Sequence, residues 1–134
     1  MKIKEIIRMK QLLLIFCFFA FFSCNKDSDK PPTIRFISGE DYTSENVSVA
    51  SGEVLKIGIT AEWNGSDKLT EIETSFNGSV DVLPLVNEDD KKIFTSNYTI
   101  MKTENQEDIV IFTVKDENDK KTSVSLILTL KVRK

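Results

Sequence analysis

Beyond residue 32, apolar side chains recur at every second position. That period is what a half-buried β-strand requires, because successive side chains on a strand point to opposite faces. Leu55, Ile57, Ile59, Ala61 and Trp63 share one parity, with Lys56, Gly58, Thr60 and Glu62 on the other. Val124, Leu126, Leu128, Leu130 and Val132 alternate in the same way with Ser123, Ser125, Ile127, Thr129 and Lys131. Val110, Phe112 and Val114 share a parity while Ile109 and Ile111 lie opposite, and a run apolar on both faces predicts a strand central in its sheet. Shorter runs complete the set: Ile34 and Phe36; Val47 and Val49; Ile72, Thr74 and Phe76; Val80 and Val82; and Phe94, Ser96, Tyr98 and Ile100. Outside residues 1–23 no window carries the 3.6-residue period of an amphipathic helix.

The connecting segments agree. Asn77-Gly78 between two alternating runs predicts a hairpin, because a type I′ turn needs two positive φ angles. Pro84 lacks an amide hydrogen, so it should end the Val80–Val82 strand or hold it at a sheet edge. Asn64-Gly65-Ser66-Asp67 and Asp116-Glu117-Asn118-Asp119 are composed as turns. Seven or eight short strands predict an all-β domain, a two-sheet antiparallel sandwich.

Residues 1–23 have a different character. Lys2, Lys4, Arg8 and Lys10, against Glu5 alone, precede an uninterrupted apolar run from Leu12 to Phe22. A positive segment, a short apolar segment and a small residue are the parts of a secretory signal peptide. The run falls short of the roughly 20 residues that span a bilayer. Ser23 and Cys24 follow, then the polar stretch Asn25–Lys30 and Pro31-Pro32. Phe21-Phe22-Ser23-Cys24 resembles a lipobox, the cleavage motif of bacterial lipoproteins, in a relaxed, aromatic-rich version like that of Bacteroidota; of the strict pattern only Ser23 is present. The resemblance implies cleavage before Cys24 and acylation of that residue. The expected organisation is a signal peptide over 1–23, a flexible tether over 24–32 and the sandwich over 33–134. The acidic residues of Lys26-Asp27-Ser28-Asp29 resemble the signals that export such lipoproteins to the cell surface, and they also suit a plain solvated tether.

Composition narrows the chemistry. The chain has 18 basic and 21 acidic side chains; residues 1–23 hold four basic ones and Glu5, leaving 14 basic and 20 acidic, a balance of −6. An acidic domain does not suit nucleic acid, whose phosphates call for a basic face. There is no histidine, and of two cysteines Cys17 leaves with the signal while Cys24 is the lipidation candidate. A folded part with neither residue has no His-dependent triad, thiol nucleophile, disulfide or ordinary zinc site.

Residues 33–132 resemble the immunoglobulin-like and PKD-like domains that recur in Bacteroidota lipoproteins. The segments that carry the resemblance are Tyr42-Thr43-Ser44, Glu45–Val49, Gly52–Ile59, and above all Phe112-Thr113-Val114-Lys115-Asp116, a polar turn, and Thr122-Ser123-Val124-Ser125-Leu126. These motifs imply a fold and bring no active site with them.

Candidate sites are few. Asp116, Asn118 and Asp119 supply the hard oxygen donors that calcium prefers, although about six ligands are needed and a polar hairpin turn has the same composition. Glu88-Asp89-Asp90 reads as a solvated acidic loop, or as a site for a cation or a basic partner. Glu71 and Glu73 have the spacing of a carboxylate pair, on a flat strand face rather than in a cleft. Tyr42, Trp63 and Tyr98 are candidate ligand contacts; the parity of Trp63 points inward, whereas Tyr42 falls in a loop. Four Asn-x-Ser/Thr sequons, at Asn46, Asn64, Asn77 and Asn97, are expected by chance in so Ser/Thr-rich a chain. The expectation is a non-catalytic binding, adhesion or spacer module. It is lipid-anchored at the outer membrane, on the cell surface in preference to the periplasmic face, and meets an envelope protein or a glycan. The alternative is a carboxylate-only enzyme or a glycan-binding accessory module. An exposed edge strand or aromatic patch would favour binding, and a deep pocket lined by carboxylates would favour chemistry.

Overall fold

The computed structural model describes residues 30–130. The signal segment 1–23, Cys24 and most of the tether lie outside the described residues. Eight strands account for the regular structure: β1 Thr33–Phe36, β2 Val47–Val49, β3 Val54–Glu62, β4 Leu69–Phe76, β5 Ser79–Pro84, β6 Ile93–Met101, β7 Asp108–Asp116 and β8 Lys121–Leu130. They form a three-stranded sheet, β1-β3-β6, and a five-stranded sheet, β2-β8-β7-β4-β5. That is the A-B-E and G-F-C-C′ order of an immunoglobulin-like sandwich, reached by connections that switch sheets. Every pairing is antiparallel except β2 with β8, which is parallel. The short β2 is held there by Asn46, whose Oδ1 accepts the Ile127 amide at 2.8 Å, and by the Ser48 and Thr129 hydroxyls 2.6 Å apart.

The period-two pattern places the core as expected. Leu55, Ile57, Ile59 and Ala61 of β3 face Val110, Phe112 and Val114 of β7 and Leu126 and Leu128 of β8, and all are buried. Strand β7 is central in its sheet, as its two apolar faces predict. Phe112 fastens the two sheets: its ring lies 4.8 Å from that of Tyr98 and 6.1 Å, edge-on, from that of Phe36. Aromatic pairs in such geometries add about 0.5–1.5 kcal/mol beyond the area they bury.

Strand β4 departs from simple alternation. Leu69 and Ile72 are both fully buried although three residues apart, because the register shifts between Leu69 and Glu71. A bulge of this kind returns the chain to the same face. At the other end Phe76, on the parity of Ile72, remains 37% exposed because only the hairpin turn lies beyond it. That turn is as predicted: Asn77 and Gly78 have φ of 50° and 85°, and Phe76 faces Ser79.

The sandwich has two distinct ends. One gathers the β3–β4 loop (63–68), the β5–β6 loop (85–92), the β7–β8 turn (117–120) and the start of β1. The other gathers the β2–β3 turn (50–53), the Asn77-Gly78 turn and the β6–β7 loop (102–107).

Candidate binding surface

Strand β5 closes one edge of the five-stranded sheet and, among the described residues, pairs only with β4. A two-residue hairpin makes Phe76 and Ser79 a hydrogen-bonded pair, and bonded pairs then alternate along an antiparallel ladder. Ser79, Asp81 and Leu83 therefore bond inward to β4, a phase continued by the Leu85 amide on the Thr70 carbonyl at 2.8 Å. Val80 and Val82 direct their amide and carbonyl groups to the open edge, and Pro84 its carbonyl alone. The edge is apolar as well as unpaired: Val80, Val82 and Leu83 are 59%, 46% and 46% exposed. Val80 and Val82 continue the outer sheet face through the rows Ser75–Ile111–Ser125 and Glu73–Thr113–Ser123. Native sheets usually blunt such an edge with lysine or proline, and here only Asp81 and the terminal Pro84 do so.

The three aromatic candidates are all engaged with the fold. Tyr98 packs on Phe112 inside the sandwich. Trp63 is half-buried against the core, with the Lys92 amine 5.8 Å from its ring centroid. Tyr42 lies in a loop, as expected, but crosses β3 at Gly58. A Cβ on Gly58 would meet the Tyr42 ring at 2.8 Å and Ile37 Cδ1 at 2.9 Å, so glycine there provides a seat. The Lys56 amine sits 4.6 Å from the Tyr42 ring centroid. Residues Tyr42–Val47 also line a shallow cavity of about 290 Å³. A glycine inside a strand pattern was the sequence signal for this close approach.

In the β7–β8 turn the three oxygen-donor candidates are spent in different directions. Asp116 is buried, and its Oδ1 accepts the amides of Asn118 and Lys120, both at 2.9 Å. Its Oδ2 is buried without a hydrogen-bond partner. Asp119, at φ 61°, pairs with Lys115 at 2.9 Å. The Asn118 side chain is directed to Asp67, whose carboxyl it helps to lower. Among the described residues no three carboxylates gather as a metal site would require. Hydrogen bonds donated to Asp119 and Glu71 hold the Lys115 amine above its usual range.

Glu71, Glu73 and Glu88 are paired on open surfaces. Glu71 meets Lys115 at 3.4 Å and Glu73 meets Lys121 at 2.8 Å, on the outer face of the five-stranded sheet. Glu88 bridges Lys68 and Lys91, and hydrogen bonds from these two lysines lower its carboxyl to about 2. Asn64 organises the β3–β4 loop: its Oδ1 accepts the amides of Ser66 and Asp67, both at 2.7 Å. Its Nδ2 reaches Asp67, whose carboxyl it holds below the usual range.

One polar cluster escaped sequence reasoning. Lys102 is completely buried, with its amine 2.6 Å from Asp108 Oδ2 and 2.5 Å from the Gln106 carbonyl. Asn77 Nδ2 donates to Asp108 Oδ1 at 2.7 Å. Burial alone would raise the Asp108 carboxyl; the hydrogen bonds from Lys102 and Asn77 outweigh it and hold the group below its usual range. A lysine after a strand gives no local sign that three loops will close over it.

No family model matches the chain, and no curated protein does. Solved structures with a similar shape include the fibronectin(III)-like modules of Clostridium thermocellum CbhA (TM-score 0.47, 19% identity), covering 75% of this chain and 47% of that one. This chain thus spans about half the length of that relative. A CARDB domain from Pyrococcus furiosus (TM-score 0.47, 12% identity) covers 75% of this chain and 96% of that one. The BIgI domain of the S. agalactiae beta protein, solved bound to CEACAM1 (TM-score 0.45, 18% identity), covers 76% of this chain and 100% of that one. What these share with the present chain is a sandwich, and the strand order described above stands without them.

Proposed function

We propose that this chain is a lipid-anchored cell-envelope protein whose sandwich acts as a non-catalytic binding module. The observation that carries the binding part is the free edge of β5, where unpaired backbone groups and exposed valines coincide. Such an edge accepts an extended polypeptide segment as an added strand; its main-chain hydrogen bonds supply affinity and the side-chain pockets supply selectivity. The occupant that fits is an uncharged segment rich in β-branched residues, since Val80 and Val82 would neighbour its side chains and a carboxylate would meet Asp81. Support for the anchor comes from the sequence: a basic start, an apolar run and Cys24 before a polar stretch. Display on the cell surface is part of the same reading.

Mass spectrometry of the protein from its native envelope should find a chain beginning at acylated Cys24; an unmodified chain beginning at Met1 would remove the anchor. Protease shaving of intact cells should release the domain if it is displayed outside. A photo-crosslinking residue at Val82 should trap an envelope partner that the same residue at Asn118 does not trap. Equal trapping at both positions, or none at Val82, would remove the edge from the reading.

A further inference from the structure

The place where the polypeptide joins the sandwich decides which end a lipid on Cys24 would hold. The Lys30 carbonyl accepts Asn64 Nδ2 at 2.9 Å, and the Pro32 carbonyl accepts Thr122 Oγ1 at 2.6 Å. Asn64 lies in the β3–β4 loop and Thr122 at the start of β8, so both bonds pin the incoming chain to the same end. Strand β1 then begins with Thr33 opposite Glu62, the last residue of β3. From Cys24 to Lys30 there are six residue steps, which reach at most about 20 Å when fully extended. Strand β3, nine residues long, carries the sandwich roughly 30 Å further from that end.

We propose that the end formed by loops 63–68, 85–92 and 117–120 faces the lipid surface, while the opposite end, with Ser51-Gly52, Asn77-Gly78 and loop 102–107, points away from it. This rests on the lipid-anchored reading above. The tether confines the near end within about 20 Å of Cys24 and lets the far end stand as much as about 50 Å out. The near end has no electrostatic attraction of its own for an anionic membrane. Asp67, Glu88, Asp89, Asp90, Glu117 and Asp119 in its loops are balanced by Lys68, Lys91, Lys92 and Lys120 together with Lys30 and Lys121 beside them. The acyl anchor and the two pinned carbonyls therefore set the orientation, and the domain without its lipid stays in solution. In this posture β5 runs along the side of a standing sandwich, and its free edge is open to neighbours on the same membrane.

The test uses tryptophan as an energy donor, since Trp63 is the sole tryptophan of the chain. In a Trp63→Phe background, one variant carries Val86→Trp and another Glu104→Trp. Val86 is 83% exposed in the near-end loop, and Glu104 is exposed in the far-end loop. Each lipoprotein is reconstituted in phosphatidylcholine vesicles containing a dansyl-headgroup lipid, and circular dichroism verifies that both remain folded. Transfer to the dansyl group is expected to be several-fold greater from the Val86→Trp variant. Equal transfer, or more from the Glu104→Trp variant, overturns the orientation. If the native protein does not float with vesicles, the lipid-anchored reading fails. Coupling the Cys24 thiol to a maleimide lipid then repeats the comparison, so that the geometry is judged separately from the native lipidation.

Discussion

Removing the Lys102 amine should cost this domain a large share of its stability. In Lys102→Met the chain keeps its volume and loses its charge, leaving the Asp108 carboxylate, 5% exposed, with Asn77 at 2.7 Å and Gln106 Nε2 at 3.4 Å as its donors. Breaking one side of a buried ion pair costs about 3–5 kcal/mol, because the other charge remains in a poorly polarisable surrounding. A domain of this size has roughly 5–15 kcal/mol in all. With a urea slope of roughly 1–3 kcal/mol per molar, the midpoint should fall by about 2 M. The melting temperature should drop on the order of 20 °C. Asp108→Leu should cost a similar amount by stranding Lys102. The double variant Lys102→Met/Asp108→Leu buries no charge. Its residual loss, the partners of Asn77 and of the Gln106 carbonyl, is about 1 kcal/mol, since both residues reach water. It should therefore be more stable than either single variant. Urea unfolding followed by Trp63 fluorescence and circular dichroism measures all four proteins. A single-variant cost below about 1 kcal/mol, or a double variant that loses the sum of the two singles, would refute the pair as a coupled buried element. The pH dependence carries a sign of its own. The folded Asp108 carboxyl is held below its usual range, so its contribution is present above the unfolded value of about 3.9 and is lost as pH falls through the lower folded value. Asp108→Asn should flatten that acid limb.

Two glycines separate steric from conformational cost. Gly58→Ala drives a methyl group into Tyr42 and Ile37 and should cost about 1–3 kcal/mol by overpacking, relieved when Tyr42→Ala is added. Gly78→Ala meets nothing within 4 Å, yet its φ of 85° should still cost about 1–2 kcal/mol, with no rescue from neighbouring truncations; urea titration reads both. Phe112→Ala removes the ring shared by Phe36 and Tyr98 and should cost about 3–5 kcal/mol, seen as an early thermal transition. The Glu88 carboxyl should titrate near 2 by carbon-detected NMR and move toward ordinary values in Lys68→Ala, where its strongest partner is gone.

Elements that depend on near neighbours are legible in the amino-acid sequence. The parity of β3, β7 and β8 announces which side chains are buried, and two apolar faces announce that β7 is central. Asn77-Gly78 announces its hairpin, and Pro84 the end of the strand that follows it. Elements that depend on distant residues are not legible there. The bulge between Leu69 and Glu71 lies just before the alternating run of Ile72, Thr74 and Phe76, where Leu69 falls on the other parity and only the pairing with β7 shows that it joins the same face. Tyr42 falls in a loop by sequence, and only the passage of that loop over Gly58 half-buries it. Asp116, Asn118 and Asp119 stand together in sequence, yet their side chains turn to the Asn118 and Lys120 amides, to Asp67 and to Lys115.

By itself the sequence determined that this chain, past its first residues, must make paired strands buried on one face, without histidine or cysteine chemistry in the folded part. Side-chain alternation and turn stereochemistry act over a few residues, so their consequences are written locally. The tertiary structure alone decided that β5 would be left as the open edge, that Lys102 would be buried against Asp108, and that the chain would join the sandwich at the end held by Asn64 and Thr122. Each of those depends on residues some 6 to 90 positions apart being brought together by sheet pairing and core burial, and no short-range pattern encodes such a meeting.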